Sequence, residues 1–206
     1  MDRKPRERRR ASTRQAIVDA ARRLIVERGI DGLSMRTLAE AIDYSPSAIY
    51  KYFRSKGEIV DAIRAEGFRL SAAMAAAEED PRIPPAERFF AAGMRYQRFA
   101  KTYPEHYLLM FATPGGRPLN VSDILEEPGF VALVENVRQA AASGELRLPR
   151  PYAAEDMALH FWFLSHGVAM LRLTIMRAAG AEFEALSGRV MRVFIDSLTA
   201  RSGEPD

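Results

Sequence analysis

Hydrophobic residues recur at three- and four-residue steps along almost the whole chain, and no segment alternates with period two for long. The first such stretch places Ile17, Ala20, Ala21 and Leu24 on one face. This spacing is typical of amphipathic helices that bury one side against a core. The pattern therefore predicts an all-α fold.

Capping residues predict where the first helices begin and end. Ser12 and Gln15 have capping-box spacing, and Gly29 follows where a left-handed residue would end the helix. Ser34 is a predicted N-cap for a short helix over Met35 to Ile42. The first helix is thus predicted to run from Ser12 to the residue before Gly29.

Two further start signals follow closely. Ser45 with Pro46 is a predicted N-cap and first helical residue, and Ser55 with Glu58 forms a second capping-box pattern. In the long helix that begins there, the residues predicted to face the core are Ile59, Ile63, Leu70 and Met74. Later helices are predicted over 85–102, 105–111, 129–143, 153–179 and 181–201, with a break at 80–85 and a loop at 112–120.

Composition narrows the class of protein. With 206 residues, 48% of them hydrophobic, the chain can form one or two packed domains, and it has no cysteine for a disulfide, a thiolate nucleophile or a Cys-ligated metal. The basic start lacks the apolar run of a secretory signal. The most apolar stretch, Met157 to Ile175, contains His160, His166 and Arg172 and is interpreted as a helix buried in protein. We expect a cytoplasmic protein with no membrane segment.

Charge is divided unevenly along the chain. Residues 1–56 carry 14 Lys/Arg against 7 Asp/Glu, a net of +7, whereas residues 57–206 carry 16 against 20, a net of −4. A basic head on an acidic body is typical of a nucleic-acid binder with a second function, and charge alone equally fits a basic tail that aids solubility. Residues 1–12 are predicted to form a disordered basic arm that lies along phosphates or in the minor groove, or else stays solvated.

Two short predicted helices joined by a tight turn, with a longer helix before them, have the outline of a helix-turn-helix. The run from Thr37 to Ile59, and above all Ile49-Tyr50-Lys51-Tyr52-Phe53 followed by Lys56, resembles the signature of the TetR family of bacterial transcriptional regulators. The chain departs from the family at the turn, where Asp43 replaces the usual glycine and Tyr44 a small aliphatic residue. Asp tolerates positive φ at modest cost, so the motif survives.

The resemblance implies a helical homodimer that binds palindromic operator DNA and releases it when a small-molecule effector binds. It leaves activation open beside repression. It also implies that residues 13–60 form the DNA-binding domain and residues 61–206 a ligand-binding and dimerisation domain. The residues predicted to contact DNA are Arg36, Thr37, Ser45, Pro46, Ser47, Ala48, Tyr50, Lys51, Tyr52 and Lys56.

The chemistry of these residues agrees with that assignment. The small side chains at 45–48 allow a recognition helix to approach base edges, and Lys51 suits guanine. Lys56, at a helix start, suits a phosphate. Plainer interpretations remain, because Tyr50 can be half in the core and Lys51 can be a solvated charge. Ile49 and Phe53 are assigned to the core with Leu24, Leu38 and Ile59.

Tyr103 to Phe111, Trp162 and His166-Gly167 resemble the TetR C-terminal domain type named for its Trp-His-Gly motif. An effector pocket is predicted to be lined by Phe99, Tyr103, Tyr107, Met110, Trp162, Phe163, His166 and Met170, although residues at this spacing are also typical of plain core. The last two helices are predicted to form the dimer interface, with Phe183, Leu186, Val190, Val193 and Phe194 on the final one.

Enzyme and metal alternatives find little support in the sequence. Asp156 and His160 stand four apart on one predicted helix, but HExxH, paired ExxH, GxSxG, P-loop and GxGxxG motifs are missing. We therefore predict no catalysis, metal or cofactor. The main rival is a ligand- or partner-binding module that no longer reads DNA, and the retention of Tyr50, Tyr52 and Lys56 favours the DNA reader.

Overall fold

The computed structural model describes residues 5–78, 80–111, 118 and 120–199. Its helices are α1 Pro5–Arg28, α2 Met35–Ala41, α3 Pro46–Ile49, α4 Lys56–Ala77, α5 Pro85–Thr102, α6 Pro104–Phe111, α7 Val121–Leu125, α8 Pro128–Ala142, α9 Ala154–Leu173 and α10 Gly180–Leu198. A 3-10 turn, Ile30–Gly32, lies between α1 and α2. Within the described ranges there is no β-strand, only an isolated bridge between Leu146 and Thr199. The predicted all-α fold is confirmed.

The first helix begins earlier than predicted. Helix α1 starts at Pro5, so residues 5–12 are helical here and not a disordered arm, while residues 1–4 lie outside the described part. Ser12 is inside the helix and does not cap it. The side-chain amide of Gln15 instead donates to Glu66 at 3.1 Å and to Asp19 at 3.3 Å. Arginine is a strong helix former and proline suits a first turn, so the helix extends over the basic segment.

The ninth helix ends earlier than predicted. The pattern predicted one helix from 153 to 179, but α9 stops at Leu173 and residues 174–178 form turns. The Thr174 hydroxyl donates to the Met170 carbonyl at 2.6 Å, and Gly180 adopts a φ of 46° where α10 begins. Local side-chain bonding and a left-handed glycine thus outweigh the apolar periodicity. Helix α7 was not predicted, and most of the predicted loop 112–120 lies outside the described residues.

Contacts between residues divide the chain into two units. The first comprises Met1–Arg69 with Glu105–Pro118, and the second Leu70–Pro104 with Leu119–Asp206. Most of α6 therefore groups with the first helices, which the order of elements along the chain did not predict. The predicted domain boundary after residue 60 stays a prediction.

The first unit has a compact apolar core. Ile49 and Phe53 are buried in one cluster with Leu24, Leu38 and Ile59, as predicted from their spacing. Other members of this cluster are Ile17, Val18, Ile25, Leu33, Val60, Ile63 and Leu109. Burying the C-terminal end of α3 at Ile49, together with Phe53 and the start of α4, holds the helix pair α2–α3 against α1.

The second unit is built around α5, α8, α9 and α10. Phe89 and Phe161 pack with ring centroids 4.3 Å apart, and Phe161 stacks on Phe194 at 5.6 Å. Gly93 lets α5 approach closely, because a Cβ there would lie 2.4 Å from Phe161 and 2.7 Å from Met191. None of the helices in the described residues is long and apolar enough to cross a membrane.

Candidate nucleic-acid interface

Local capping fixes the helix pair α2–α3. The Ser34 hydroxyl accepts the Thr37 backbone N–H at 3.0 Å, and the Thr37 hydroxyl accepts the Ser34 backbone N–H at 2.9 Å. This reciprocal pair satisfies donors at the start of α2 that would otherwise lack partners. The Ser45 hydroxyl accepts the Ala48 N–H at 3.3 Å, with Pro46 as the first residue of α3. Both predicted N-caps are confirmed.

The turn between α2 and α3 uses Asp43 in place of glycine. Asp43 has a φ of 56°, the left-handed region that the sequence predicted for this position. The Tyr44 N–H donates to the Ala39 carbonyl at 2.9 Å, and the Asp43 N–H donates to the Glu40 carbonyl at 3.4 Å. These two bonds form the Schellman pattern that commonly ends a helix at glycine. The turn therefore keeps its geometry without the glycine.

The exposed end of α3 is small and polar. Ser45, Pro46 and Ser47 are exposed, Ala48 is half-buried, and the two serine hydroxyls lie 2.9 Å apart. Regular α-helix stops at Ile49, and Lys51 to Phe53 continue through turn bonds, so α3 is a single short turn of helix. A short helix start without bulky side chains can approach base edges closely.

The residues after α3 divide between solvent and core. Tyr50 is 54% exposed and Lys51 is exposed, whereas Tyr52 is half-buried against the apolar cluster of the first unit. The exposure of Tyr50 favours the surface interpretation over the half-core one. Tyr50 and Lys51 are thus available to a partner, and Tyr52 is partly exposed.

Arg36 and Thr37 differ in freedom. The Arg36 side chain is 84% exposed and pairs with Glu40 at 3.0 Å, an exposed ion pair that contributes little stability and is easily exchanged. The Thr37 hydroxyl accepts the Ser34 backbone N–H and donates to the Gly32 carbonyl at 3.0 Å. Arg36 can therefore turn to a base, while Thr37 is committed mainly to holding the start of α2.

Lys56 has a structural partner that the sequence did not indicate. Its ammonium donates to the carbonyl of Ile30 in the 3-10 turn, so the side chain holds the start of α4 to the segment between α1 and α2. An ammonium has three N–H donors, and this bond uses one of them. The remaining donors are compatible with the predicted phosphate contact.

Two arginines of α1 that were not among the predicted site residues lie against the end of α3. The Arg10 guanidinium donates to the Lys51 carbonyl at 3.4 Å and lies 5.7 Å from the Tyr52 ring centroid. Arg14 lies 4.5 Å from the centroid of Phe53. Arg6, Arg10 and Arg14 are four residues apart, so they share one face if the helix begins at Pro5. This spacing was the sequence signal that could have indicated Arg10 and Arg14 as site residues.

Two family models match the sequence. The family described as bacterial regulatory proteins, tetR family, matches residues 17–63, and the tetracyclin repressor-like C-terminal domain matches residues 89–194. The chain belongs to the tetR family. It is thus a transcription regulator and not an enzyme, as the sequence predicted.

The chain is also similar to individual proteins. The chain is 38% identical over 68 residues to the HTH-type transcriptional repressor Rv1474c of Mycobacterium tuberculosis, a match that spans 33% of this chain and 36% of the repressor. A protein of unknown function from Rhodococcus sp. RHA1 superposes with a TM-score of 0.72 and 29% identity, over 91% of this chain and 95% of that one. AibR, solved with isovaleryl coenzyme A and operator DNA, has the same fold at a TM-score of 0.59 and 20% identity. The superposition covers 76% of this chain and 85% of AibR.

The predicted effector-lining residues of this TetR-family chain are distributed over both units. Phe99, Tyr103, Trp162, Phe163, His166 and Met170 belong to the second unit, whereas Tyr107 and Met110 belong to the first. Phe99, Tyr107 and Met110 are buried, and Phe163 is exposed. The assignment of these residues to a ligand site stays a prediction.

Trp162 and His166 share a hydrogen-bonding partner that the sequence did not single out. The Trp162 Nε1–H donates to the Tyr96 hydroxyl at 3.2 Å, and that oxygen lies 3.1 Å from His166 Nδ1. The indole can only donate, whereas the Tyr96 hydroxyl can accept as well as donate, so the donor in the bond between Tyr96 and His166 depends on the tautomer of the imidazole. Burial lowers the pKa of His166, which favours the neutral imidazole.

Polar contacts tie α6 to α1 and α4 within the first unit. Arg22 of α1 bonds Glu105 at 3.2 Å, and His106 Nε2 lies 3.7 Å from a carboxylate oxygen of Glu66 on α4. Burial lowers the pKa of His106, and the charge of Arg22 acts in the same direction, while Glu66 and Glu105 oppose it. His106 thus helps to anchor α6 mainly as a neutral ring.

Asp156 and His160, the pair weighed as metal ligands, have other roles. Asp156 accepts the Ala153 backbone N–H at 2.8 Å and so caps the start of α9. His160 packs its ring on Phe194 at 4.9 Å. The described residues contain no group of three or more side chains placed to hold a metal ion.

Proposed function

We propose that this TetR-family regulator is a repressor that binds a palindromic operator as a homodimer and leaves it when a small molecule binds. The observation that carries the proposal is the helix pair α2–α3, capped at both starts, with Arg36, Ser47, Tyr50 and Lys51 on its exposed surface. The partial match to a mycobacterial repressor supports repression over activation. Such a regulator acts on chromosomal DNA in the cytoplasm.

The proposed DNA contacts fall into two chemical groups. Arg36, Ser47 and Lys51 would read base edges from the major groove, since they have exposed donors and, in the case of serine, an acceptor. The other predicted contacts, Thr37, Ser45, Pro46, Ala48, Tyr50, Tyr52 and Lys56, would fit the protein to the groove and to phosphates. We add Arg10, because it is exposed beside Lys51 and Tyr52.

The proposed homodimer is supported by apolar surface on α9 and α10. Phe163 is 60% and Val193 66% exposed, and further exposed residues on these helices are Leu171, Leu186 and Val190. Leu186, Val190 and Val193 share one face of α10, and an exposed apolar stripe of this kind commonly marks a protein interface. Two-fold symmetry would place two recognition helices about 34 Å apart, one turn of DNA.

The proposed release follows from the position of α4. Its residues up to Arg69 belong to the first unit and those from Leu70 to the second, so a displacement of α4 changes the first unit. A ligand in the second unit that prefers one arrangement of α4 would shift the population towards it. The same fold in AibR, which was solved in complex with isovaleryl coenzyme A and operator DNA, supports this proposal.

The test is selection from a randomised duplex pool at physiological salt, followed by sequencing of the retained DNA. We expect a palindrome whose half-sites lie about one helical turn apart. Arg36→Ala should relax preference at one base pair per half-site by about 1–3 kcal/mol. Arg69→Ala removes the same charge from an exposed position on α4, about 20 Å along that helix from Lys56. It is the matched control and should leave the motif unchanged. Retention of DNA without any motif would make the ligand-binding module the better interpretation.

A further inference from the structure

The second unit contains buried polar side chains between helices that otherwise pack through apolar residues. Gln97 of α5, Ser165 of α9 and Ser187 of α10 are 5%, 2% and 3% exposed. Across the described residues, the other buried polar residue is His106, which belongs to the first unit. These three residues lie on three helices that pack on one another. The direction and register of the helices decide whether the residues lie at the same height along them.

Helices α5 and α10 run antiparallel. Lys101, near the end of α5, bonds Glu184, near the start of α10, at 3.0 Å. Glu87, near the start of α5, bonds Arg192, towards the end of α10, at 3.0 Å. Increasing residue numbers on α5 therefore pair with decreasing numbers on α10.

Helices α5 and α9 run in the same direction. Phe89 packs on Phe161 with ring centroids 4.3 Å apart, and Tyr96, two turns later on α5, lies within hydrogen-bonding distance of His166. Increasing residue numbers on α5 therefore pair with increasing numbers on α9.

The glycine contact fixes the register of all three helices. Gly93 lies directly against Phe161 and Met191. Gln97 lies one turn beyond Gly93 on α5. The same displacement is four residues forward from Phe161 on α9 and four residues back from Met191 on α10. Those steps lead to Ser165 and Ser187. The three buried polar residues thus occupy the layer next to the Gly93 contact, which we call the Gln97 layer.

Within the Gln97 layer one donor is unsatisfied. The side-chain nitrogen of Gln97 is fully buried and has no hydrogen-bond partner in the described part of the chain. The Ser165 hydroxyl donates to the Phe161 carbonyl at 2.8 Å and the Ser187 hydroxyl to the Glu184 carbonyl at 3.0 Å. Burying an amide without a partner is unfavourable, so this layer suits an occupant that offers an acceptor.

We propose that the Gln97 layer binds a small uncharged molecule through an acceptor oxygen, such as a ketone or ester carbonyl, with an apolar body beside Trp162. The inference rests on the proposed ligand-responsive function and names the chemical class of its effector. A neutral acceptor fits better than a carboxylate, because the unsatisfied donor is an uncharged amide and the other two buried polar residues of the layer are serines. Burial also keeps His166 neutral.

The test uses the full-length protein without DNA and three probes of similar size: cyclohexanone, methylcyclohexane and cyclohexanecarboxylate. Trp162 is the chain's one tryptophan, so its indole N–H gives an unambiguous NMR reporter. Cyclohexanone should shift this resonance, and the probes without a neutral acceptor should not. Gln97→Met, which keeps the volume and removes the donor, should weaken cyclohexanone binding about fivefold or more.

Thermal unfolding without any probe provides the control. Gln97→Met should raise the Tm, because it removes a buried donor that lacks a partner. Gln139→Met is the matched substitution in the same unit and should lower the Tm, because its amide accepts from Arg88 and donates to Glu135 at 2.8 Å. The proposal is overturned if cyclohexanone leaves the indole resonance unmoved up to its solubility limit, if wild type and Gln97→Met bind it equally, or if Gln97→Met lowers the Tm. Operator selection is run without probe, so its failure would count against the proposed function alone.

Discussion

The close approach of α6 to α4 makes the effect of Gly67→Ala depend on Met110. Gly67 is buried in α4, and a Cβ built on it lies 2.4 Å from Sδ and 2.8 Å from Cγ of Met110. Ordinary contacts between heavy atoms are about 3.5–4.0 Å, so Met110 must change rotamer or α6 must move. Because Cγ is close to the backbone of Met110, rotation of the end of the side chain cannot remove the overlap.

The expected magnitude combines two opposing effects. Overpacking of this kind costs about 1–3 kcal/mol of unfolding free energy. Replacing glycine by alanine inside a helix contributes about 1 kcal/mol in the other direction. Gly67→Ala should therefore destabilise the wild-type protein by about 1 kcal/mol net. In a Met110→Ala background the overlap is gone, and the same substitution should stabilise by up to about 1 kcal/mol.

The assay is urea unfolding of the wild type, both single variants and the double variant, followed by circular dichroism. Met110→Ala alone should cost about 2–5 kcal/mol because it leaves a cavity. The coupling free energy from the cycle should be about 2 kcal/mol, with m-values unchanged so that midpoints can be compared. If Gly67→Ala had the same effect in both backgrounds, α6 would not be packed on α4 as described, and the reasoning would fail.

Three further predictions concern the start of α4, the proposed dimer and pH. Lys56→Met should lower the unfolding free energy by about 0.5–1.5 kcal/mol, because it removes the bond to Ile30. It should also flatten the logarithmic salt dependence of operator binding by about one unit for each phosphate that is no longer bound. An unchanged salt slope would leave Lys56 with its structural role alone. Val193→Glu should convert the dimer to a folded monomer in analytical ultracentrifugation and weaken operator binding, and a dimer that persists at low concentration would place the interface elsewhere. Because the pKa of His106 is lowered from 6.5 on folding, its unfolded form gains a proton first, so stability is full above about pH 7 and falls as the pH drops through 6.5. His106→Gln should reduce this loss between pH 7.5 and 5.5 by up to about 1.4 kcal/mol per pH unit, measured by urea unfolding, and equal losses in both proteins would refute it.

Agreement between sequence and structure is best where the deciding contacts are local. The starts of α2 and α3 at Ser34 and Ser45 depend on bonds within three residues, so the residue types alone indicated them. Positive φ at Asp43 follows from the same turn. The start of α1 was wrong because Ser12 and Gln15 have capping spacing, yet Gln15 finds a partner on α4. A capping pattern within four residues carries no information about a hydrogen-bond partner that lies far along the chain.

The candidate site shows the same division. Residue identity at α3 indicated which surface would meet DNA, because small and polar residues after an N-cap have few other uses there. The arrangement of Arg10 beside Tyr52 was not indicated, since it requires α1 to begin at Pro5 and to pack beside α3. The effector-lining prediction grouped residues by type and spacing, and the structure assigns Tyr107 and Met110 to a different unit from the rest.

By itself the sequence determined the helical class, most helix ends, the helix-turn-helix and the family, because periodicity, caps and turns are set by neighbours within four residues. Tertiary structure decided which distant groups meet. It joined α6 to the first helices through Arg22 and His106, gave Lys56 its backbone partner, and placed the donor of Gln97 where no acceptor reaches it within the described residues. Pairings of this kind depend on competition among many partners at comparable energies, and only packing of the whole core selects one.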